Sequence, residues 1–212
     1  MSVIETLSVW RDASAGDGTM NERPDENLIK AYLEGDTEAL AILVDRHRRG
    51  VYGYIVNMVG HGADADDIFQ SVWIKAIRNL ERYRHSNFGG WLTRIARNTV
   101  LDQARRRKPD ASLDAEFADG RTMADAVASA QADPQQEVSA LELGVRIREA
   151  VASLGVEQRE VFVLRTQQNL AFKEIAEMQG VSINTALARM QYALAHLRPL
   201  LAQDYEQLGH SS

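Results

Sequence analysis

The sequence contains no cysteine. That excludes a disulfide framework, a thiolate metal site and a thiol nucleophile, and the chain cannot itself be a thiol switch. No apolar run approaches the roughly 20 residues needed to cross a bilayer, so no direct membrane insertion is expected. The first residues, MSVIETLSVWRDAS, lack a basic stretch followed by an apolar core, so no secretory signal is expected. Together these absences favour the cytoplasm. Parts for catalysis are missing as well. There is no Gly-rich phosphate loop, and His47, His61, His85, His196 and His210 are scattered, with no close His–carboxylate–Ser constellation. Asp64, Asp66 and Asp67 have no histidine or further carboxylate at ligand spacing. The expectation is therefore a non-enzyme without catalytic residues, cofactor or metal.

What is present is an ordinary soluble composition, 45% hydrophobic and 25% charged over 212 residues. The net charge is −6, which by itself argues against a nucleic-acid partner. Its distribution argues otherwise. From Arg78 to Lys108 nine basic residues oppose Glu81 and Asp102, a net +7. From Pro109 to Ala140 only Arg121 opposes seven acids, a net −6. A basic stripe beside an acidic segment marks an electrostatic footprint for nucleic acid. On charge alone, a solvated helix face beside an acidic loop fits equally.

Periodicity predicts an all-α protein of two small helical units, with no convincing strand. Residues 1–24 are polar and aperiodic and read as a mobile extension. The first unit, 25–108, starts with a helix from about Asp25 to Glu34, stopped at Gly35. Asp36 is placed to cap the next, which carries Leu40, Leu43, Val44, His47, Val51, Ile55 and Met58 at helical spacing and ends at Gly60. Asp64 is expected to cap a third, with Phe69, Val72, Trp73, Ala76 and Leu80 along one side. Residues 81–90 read as a loop. Trp91 to Arg107 is helical, with Leu92, Ile95, Ala96 and Thr99 inward. Residues 109–136, rich in Ala and Asp, read as a flexible acidic linker. The second unit, 137–205, is expected to hold four helices, near 137–152, 157–167, 171–179 and 182–200, before a tail at 206–212.

The second unit contains a helix-turn-helix pattern. Ala176 is a small residue that lets two helices approach, Gly180 suits a left-handed turn, and Ser182 is placed to cap the following helix. In that helix Ile183, Ala186, Met190, Leu194 and Leu197 are expected in the core. Asn184, Thr185, Ala188, Arg189, Gln191 and Tyr192 lie toward the other side, where a recognition helix reads DNA near its N-terminus. A plain helical hairpin in a bundle has the same spacing. In the preceding segment Leu154, Val161, Phe162 and Leu164 should pack beneath the pair, leaving Gln158, Arg159 and Arg165 outside.

Over residues 25–200 the chain resembles the extracytoplasmic-function (ECF) sigma factors of the sigma-70 family. The first unit contributes Gly35-Asp36, Arg46-His47, Asp66-Asp67-Ile68 with Gln70, Trp91-Leu92, Ile95-Ala96-Arg97-Asn98, and Asp102 with Arg105. The second contributes Gln158-Arg159-Glu160-Val161, Glu174-Ile175-Ala176, Gly180-Val181-Ser182, Asn184-Thr185 and Leu197-Arg198. Their order and spacing together make the match specific.

The resemblance implies a bacterial factor that binds core RNA polymerase, at its β′ clamp and β subunit, and directs it to promoter DNA. Asp66, Asp67 and Gln70 stand where the family contacts the clamp. Acids in a first helical turn also offset the helix dipole, and the two roles are compatible. Lys75, Asn79, Tyr83 and Asn98 stand where the family lines a pocket for a flipped-out base of the −10 element, with Arg84, Ser86, Asn87 and Phe88 at a loop tip. A flipped base needs an apolar or π wall and polar groups for its edge. Tyr83, Phe88 and Trp91 can supply the wall, and Asn79 and Asn98 the edge contacts, while Arg94 and Arg105 hold phosphates. Core packing is the competing role for Trp91 and Tyr83.

For the −35 element the resemblance points to Ser182, Asn184, Thr185, Ala188, Arg189, Gln191 and Tyr192, with Arg165, Lys173 and Arg189 for phosphates. Two departures stand out. Gly155 replaces the usual proline, and Leu187-Ala188 replace a common basic residue and serine, so the recognition helix offers fewer polar contacts. The resemblance also implies control by an anti-sigma factor. An autonomous helix-turn-helix regulator is the alternative. It accounts for the second unit, but not for the basic helix and aromatic residues of the first.

Overall fold

The computed structural model describes residues 23–84, 87–107 and 144–209. Most of the expected extension, the linker and residues 137–143 lie outside them. The described residues form α-helices, one short 3-10 turn and no strand.

In the first unit α1 (Asp25–Leu33) packs on α2 (Thr37–Val59). The chain turns at Gly35, and Asp36 caps α2 by accepting from the backbone N–H of Glu38 at 3.0 Å. The predicted stripe of α2 is buried at Leu40, Leu43, Val44, Val51, Ile55 and Met58, and Tyr54 joins it at 0% exposure. α3 (Ala63–Asn79) and α4 (Phe88–Arg107) close the bundle around Val72, Trp73, Leu92 and Ala96. Asp64 does not cap α3. The cap position is Gly62, whose φ of 121° belongs to glycine, and Asp64 sits inside the first turn, where it offsets the helix dipole.

The expected loop at 81–90 is shorter than predicted. Leu80–Arg82 continues α3 as a 3-10 turn. α4 starts at Phe88, because the Asn87 side chain accepts from the Gly90 N–H at 2.9 Å and supplies the cap.

The second unit comprises α5 (144–152), α6 (Val156–Thr166), α7 (Phe172–Gln179) and α8 (Ile183–Gly209). Val161, Val163, Leu164, Ile175, Ala186, Ala193 and Leu197 form its core. Three expectations are corrected. Ile183 and Leu194 are 46% and 45% exposed. The buried stripe of α8 instead follows Ala186, Ala193 and Leu197, because at 3.6 residues per turn the 183–194 line drifts off the core face. Arg159 is buried, and donates to the carbonyls of Leu154, Ala152 and Asn57. Those acceptors offset the desolvation that lowers its pKa. Finally, α8 runs through Pro199 to Gly209, past the predicted end.

The two units are packed together. α2 lies against α6, and the buried side chains form one continuous cluster.

Candidate nucleic-acid interfaces

Side chains from the end of α3, the 3-10 turn and α4 converge on a cleft of about 410 Å³ lined by Lys75, Asn79, Arg82, Tyr83, Trp91, Ile95 and Asn98. The spacing explains the convergence. Lys75 and Asn79 are one helical turn apart, as are Trp91 and Ile95, and Asn98 follows Ile95 by three. Lys75 Nζ donates to Thr99 Oγ1 at 2.9 Å and lies 4.0 Å from Asp102. Asn79 is fixed by donating to the Lys75 carbonyl at 2.8 Å. The lining thus combines cationic, amide and aromatic groups around a space the size of a small ligand.

Behind the cleft stands an aromatic cluster. The Tyr83 and Trp91 rings are 5.1 Å apart, and Phe88 lies 5.3 Å from Tyr83 and 5.5 Å from Trp91. The His47 ring meets Phe88 edge-on at 5.2 Å. Phe88 is only 2% exposed, which corrects its placement at a loop tip: as the first residue of α4 it is turned into the bundle and props Tyr83 and Trp91. Trp91 is half-buried, so packing and cleft lining are both its work. Burial first, then Glu26 and Asp25, push the Tyr83 hydroxyl up to about 12, so it is neutral at physiological pH.

The other expected residues are distributed as follows. Asn87 caps α4, and the exposed Arg84 donates to the carbonyls of Glu81 and Tyr83 at 2.8 and 2.7 Å. Ser86 lies outside the described residues. Arg105 is exposed near Asp102, and Arg94 lies 3.9 Å from Glu177 of α7. Arg82 and Ile95 are cleft residues that sequence reasoning did not assign to the site. Ile95 carried a signal in its spacing from Trp91, while Arg82 owes its place to the 3-10 turn, which left no periodic trace.

On α3, Asp66, Asp67 and Gln70 share an exposed surface. Asp66 accepts from Tyr52 Oη at 2.9 Å, and burial followed by this bond raises the Tyr52 pKa.

In the second unit Gly180 ends α7 at φ 68° and ψ 33°, and Ser182 Oγ accepts from the Thr185 N–H at 3.1 Å, fixing the start of α8. Asn184, Thr185, Gln191 and Tyr192 are exposed and Ala188 is half-buried. Of the three cations expected on phosphates, Lys173 is exposed. Arg165 lies over the Phe172 ring at 5.4 Å and donates to the Leu170 carbonyl at 3.0 Å. Arg189 is paired with Glu157 and donates to Gln179 at 2.7 Å.

The described residues thus form a helix-turn-helix packed on a second helical unit that carries a basic helix and an aromatic cleft. Residues 43–109 match Sigma-70 region 2, and residues 144–197 match Sigma-70, region 4. The chain is 33% identical over 176 residues to the ECF RNA polymerase sigma factor SigW of Bacillus subtilis, covering 82% of this chain and 94% of that one. It is 31% identical to the ECF sigma factor SigM of Mycobacterium tuberculosis, covering 89% and 90%. Two solved structures share the fold, each with a TM-score of 0.58. They are the sigma factor RpoE in complex with the anti-sigma factor NepR from Bartonella quintana, 21% identical and covering 75% of this chain and 94% of that one, and CnrH in complex with the cytosolic domain of CnrY, 23% identical and covering 86% and 99%. The chain belongs to the ECF sigma factors, and is an RNA polymerase sigma factor that directs promoter-specific transcription initiation.

Proposed function

We propose that the first unit captures an unstacked base of the −10 element in the cleft while α8 reads the −35 element. The observation that carries this is the cleft itself. An aromatic wall from Tyr83 and Trp91, donors from Lys75 and Arg82, and amides from Asn79 and Asn98 surround one space, which is the chemistry a flipped base requires. Arg94, Arg84 and Arg105 line the phosphate path. Ser182, Asn184, Thr185, Ala188, Gln191 and Tyr192 face the −35 duplex, with Arg165, Lys173 and Arg189 toward phosphates. Asp66, Asp67 and Gln70 form the contact with the polymerase β′ clamp.

The chain works in the cytoplasm as a specificity subunit and not as a catalyst, and an anti-sigma protein controls it. The complexes of RpoE with NepR and of CnrH with CnrY support that partner class.

The test is promoter-dependent transcription with core RNA polymerase on a pool of genomic fragments. Discrete starts that disappear in a Tyr83→Ala, Asn98→Ala variant, while polymerase binding persists, support the reading. DNA binding by the chain alone, with no polymerase binding and no starts, would indicate an autonomous regulator instead.

A further inference from the structure

The N-terminus of α1 and His47 of α2 have no part in the function described so far, yet they stand behind its cleft. One oxygen of Asp25 accepts from Arg46 Nη1 at 2.6 Å, and the other accepts from His47 Nε2 at 2.9 Å. The His47 ring also seats against α4. A Cβ added at Gly89 would stand 3.3 Å from His47 Nδ1 and 3.4 Å from its Cε1, so the ring uses the space that glycine leaves. From there it meets Phe88 edge-on, with centroids 5.2 Å apart and planes at 76°. Phe88 meets Tyr83 in the same manner at 5.3 Å and 85°, and lies 5.5 Å from Trp91. Tyr83 and Trp91 line the cleft. A continuous path of contacts, Asp25 to His47 to Phe88 to the two rings, therefore joins the first residue of α1 to the cleft wall.

The chemistry of this path favours orientation over mere filling. A histidine bound to a carboxylate is a costly filler between helices, because both groups lose water, and here their side chains are only 17% and 22% exposed. What the pair adds is direction. A hydrogen bond at one ring nitrogen fixes the plane of the imidazole, and an edge-to-face contact passes that orientation to the next ring. Tyr83 needs such support. It follows the 3-10 turn in extended backbone, at φ −62° and ψ 127°, so no helix sets its direction. Burial, then Glu26 and Asp25, raise the Tyr83 hydroxyl, which puts the start of α1 beside that side chain.

We propose that Asp25 and His47 are positioning residues for −10 recognition: without touching DNA, they hold Phe88, and through it the Tyr83 and Trp91 rings, at the angle that receives an unstacked base. This rests on the assignment of the cleft to the −10 element. A wall ordered in advance binds the base without the entropic cost of ordering those side chains at that moment. Loss of the Asp25–His47 contact should therefore weaken capture of the base, and leave polymerase binding and the −35 contacts as they were.

The test uses the full chain on core RNA polymerase, and fork-junction DNA carrying the −10 sequence found by transcription, intact or with single −10 bases removed. The unaltered chain should favour the intact fork over the fork lacking the captured base by about tenfold, the scale of one base–aromatic stack. His47→Ala and Asp25→Ala should lower affinity for the intact fork toward that of the abasic fork, and leave the abasic fork bound as before. A purely structural role predicts equal losses on both forks, because the base and the altered residue would then act independently. Should His47→Ala lose helical signal, Gly89→Ala decides in its place. Its methyl group crowds the His47 ring, while alanine is the better helix former, so base capture should fall with no loss of thermal stability. Equal losses on the two forks, or full discrimination in the deciding variant, overturn the positioning role and leave the cleft assignment standing. Failure of the unaltered holoenzyme to discriminate at any −10 position defeats the cleft assignment, and the proposal with it.

Discussion

Asp25 illustrates how a polar residue near an element end can organise its surroundings. Its carboxylate accepts from Arg46 at 2.6 Å and meets His47 Nε2 at 2.9 Å, joining α1 to α2. Burial raises its pKa, but His47 and then Arg46 outweigh burial and hold it below the ordinary 3.8. A carboxyl depressed on folding stabilises the fold above its unfolded pKa, and that stability is lost as pH falls through the folded value. Asp25→Asn should therefore cost about 1–2 kcal/mol at neutral pH, and the gap to the unaltered chain should close in strong acid. Urea unfolding at a series of pH values measures this. Phe88 makes the opposite point. Because it is the hub of the aromatic cluster, Phe88→Ala should destabilise the protein by about 3–5 kcal/mol. A mere loop-tip role predicts almost no change, and the same unfolding titration separates the two.

Helix ends were the most legible elements and also the source of the clearest errors. Asp36, Gly180 and Ser182 act where a short polar side chain or a left-handed turn was expected, since caps are local chemistry. Asp64 and Asn87 show the limit. Several acids or amides in a row can all serve as caps, and backbone geometry chooses among them. Two substitutions probe these ends. Nothing lies within 4 Å of a Cβ added at Gly180, so Gly180→Ala should cost only the conformational penalty of about 1–2 kcal/mol. Gly155, at φ −56° and ψ 147°, begins α6 without a side-chain cap. Gly155→Ser supplies the missing oxygen and should stabilise by a few tenths of a kcal/mol. Denaturant midpoints of both variants check the signs.

At the scale of the whole molecule, the docked arrangement depends on complementary surfaces far apart in sequence. Tyr54 and Glu160 meet across 106 positions, and burial followed by Glu160 pushes the Tyr54 hydroxyl well above its usual range. An added Cβ at Gly50 would lie 3.0 Å from Gln168 Oε1. Gly50→Leu should therefore displace Gln168 and loosen the contact between the units while α2 remains helical, since leucine favours helix over glycine by roughly 1 kcal/mol. Small-angle scattering should show a larger radius of gyration for the free chain with no loss of helical signal. An unchanged radius would mean that Gln168 is incidental to docking.

Sequence by itself determined the all-α class, the helix-turn-helix and the sigma resemblance. All three rest on short-range periodicity, capping chemistry and the order of motifs along the chain. The sigma resemblance also pointed to Lys75, Asn79, Tyr83 and Asn98, which line one cleft. Tertiary structure alone decided that Phe88, Arg159 and Glu160 are buried, that Arg82 joins the cleft, and that Arg94 and Arg97 face carboxylates of the second unit. Those outcomes follow from burial and long-range electrostatics. An arginine or glutamate in a linear sequence looks the same whether it meets water or a partner a hundred residues away.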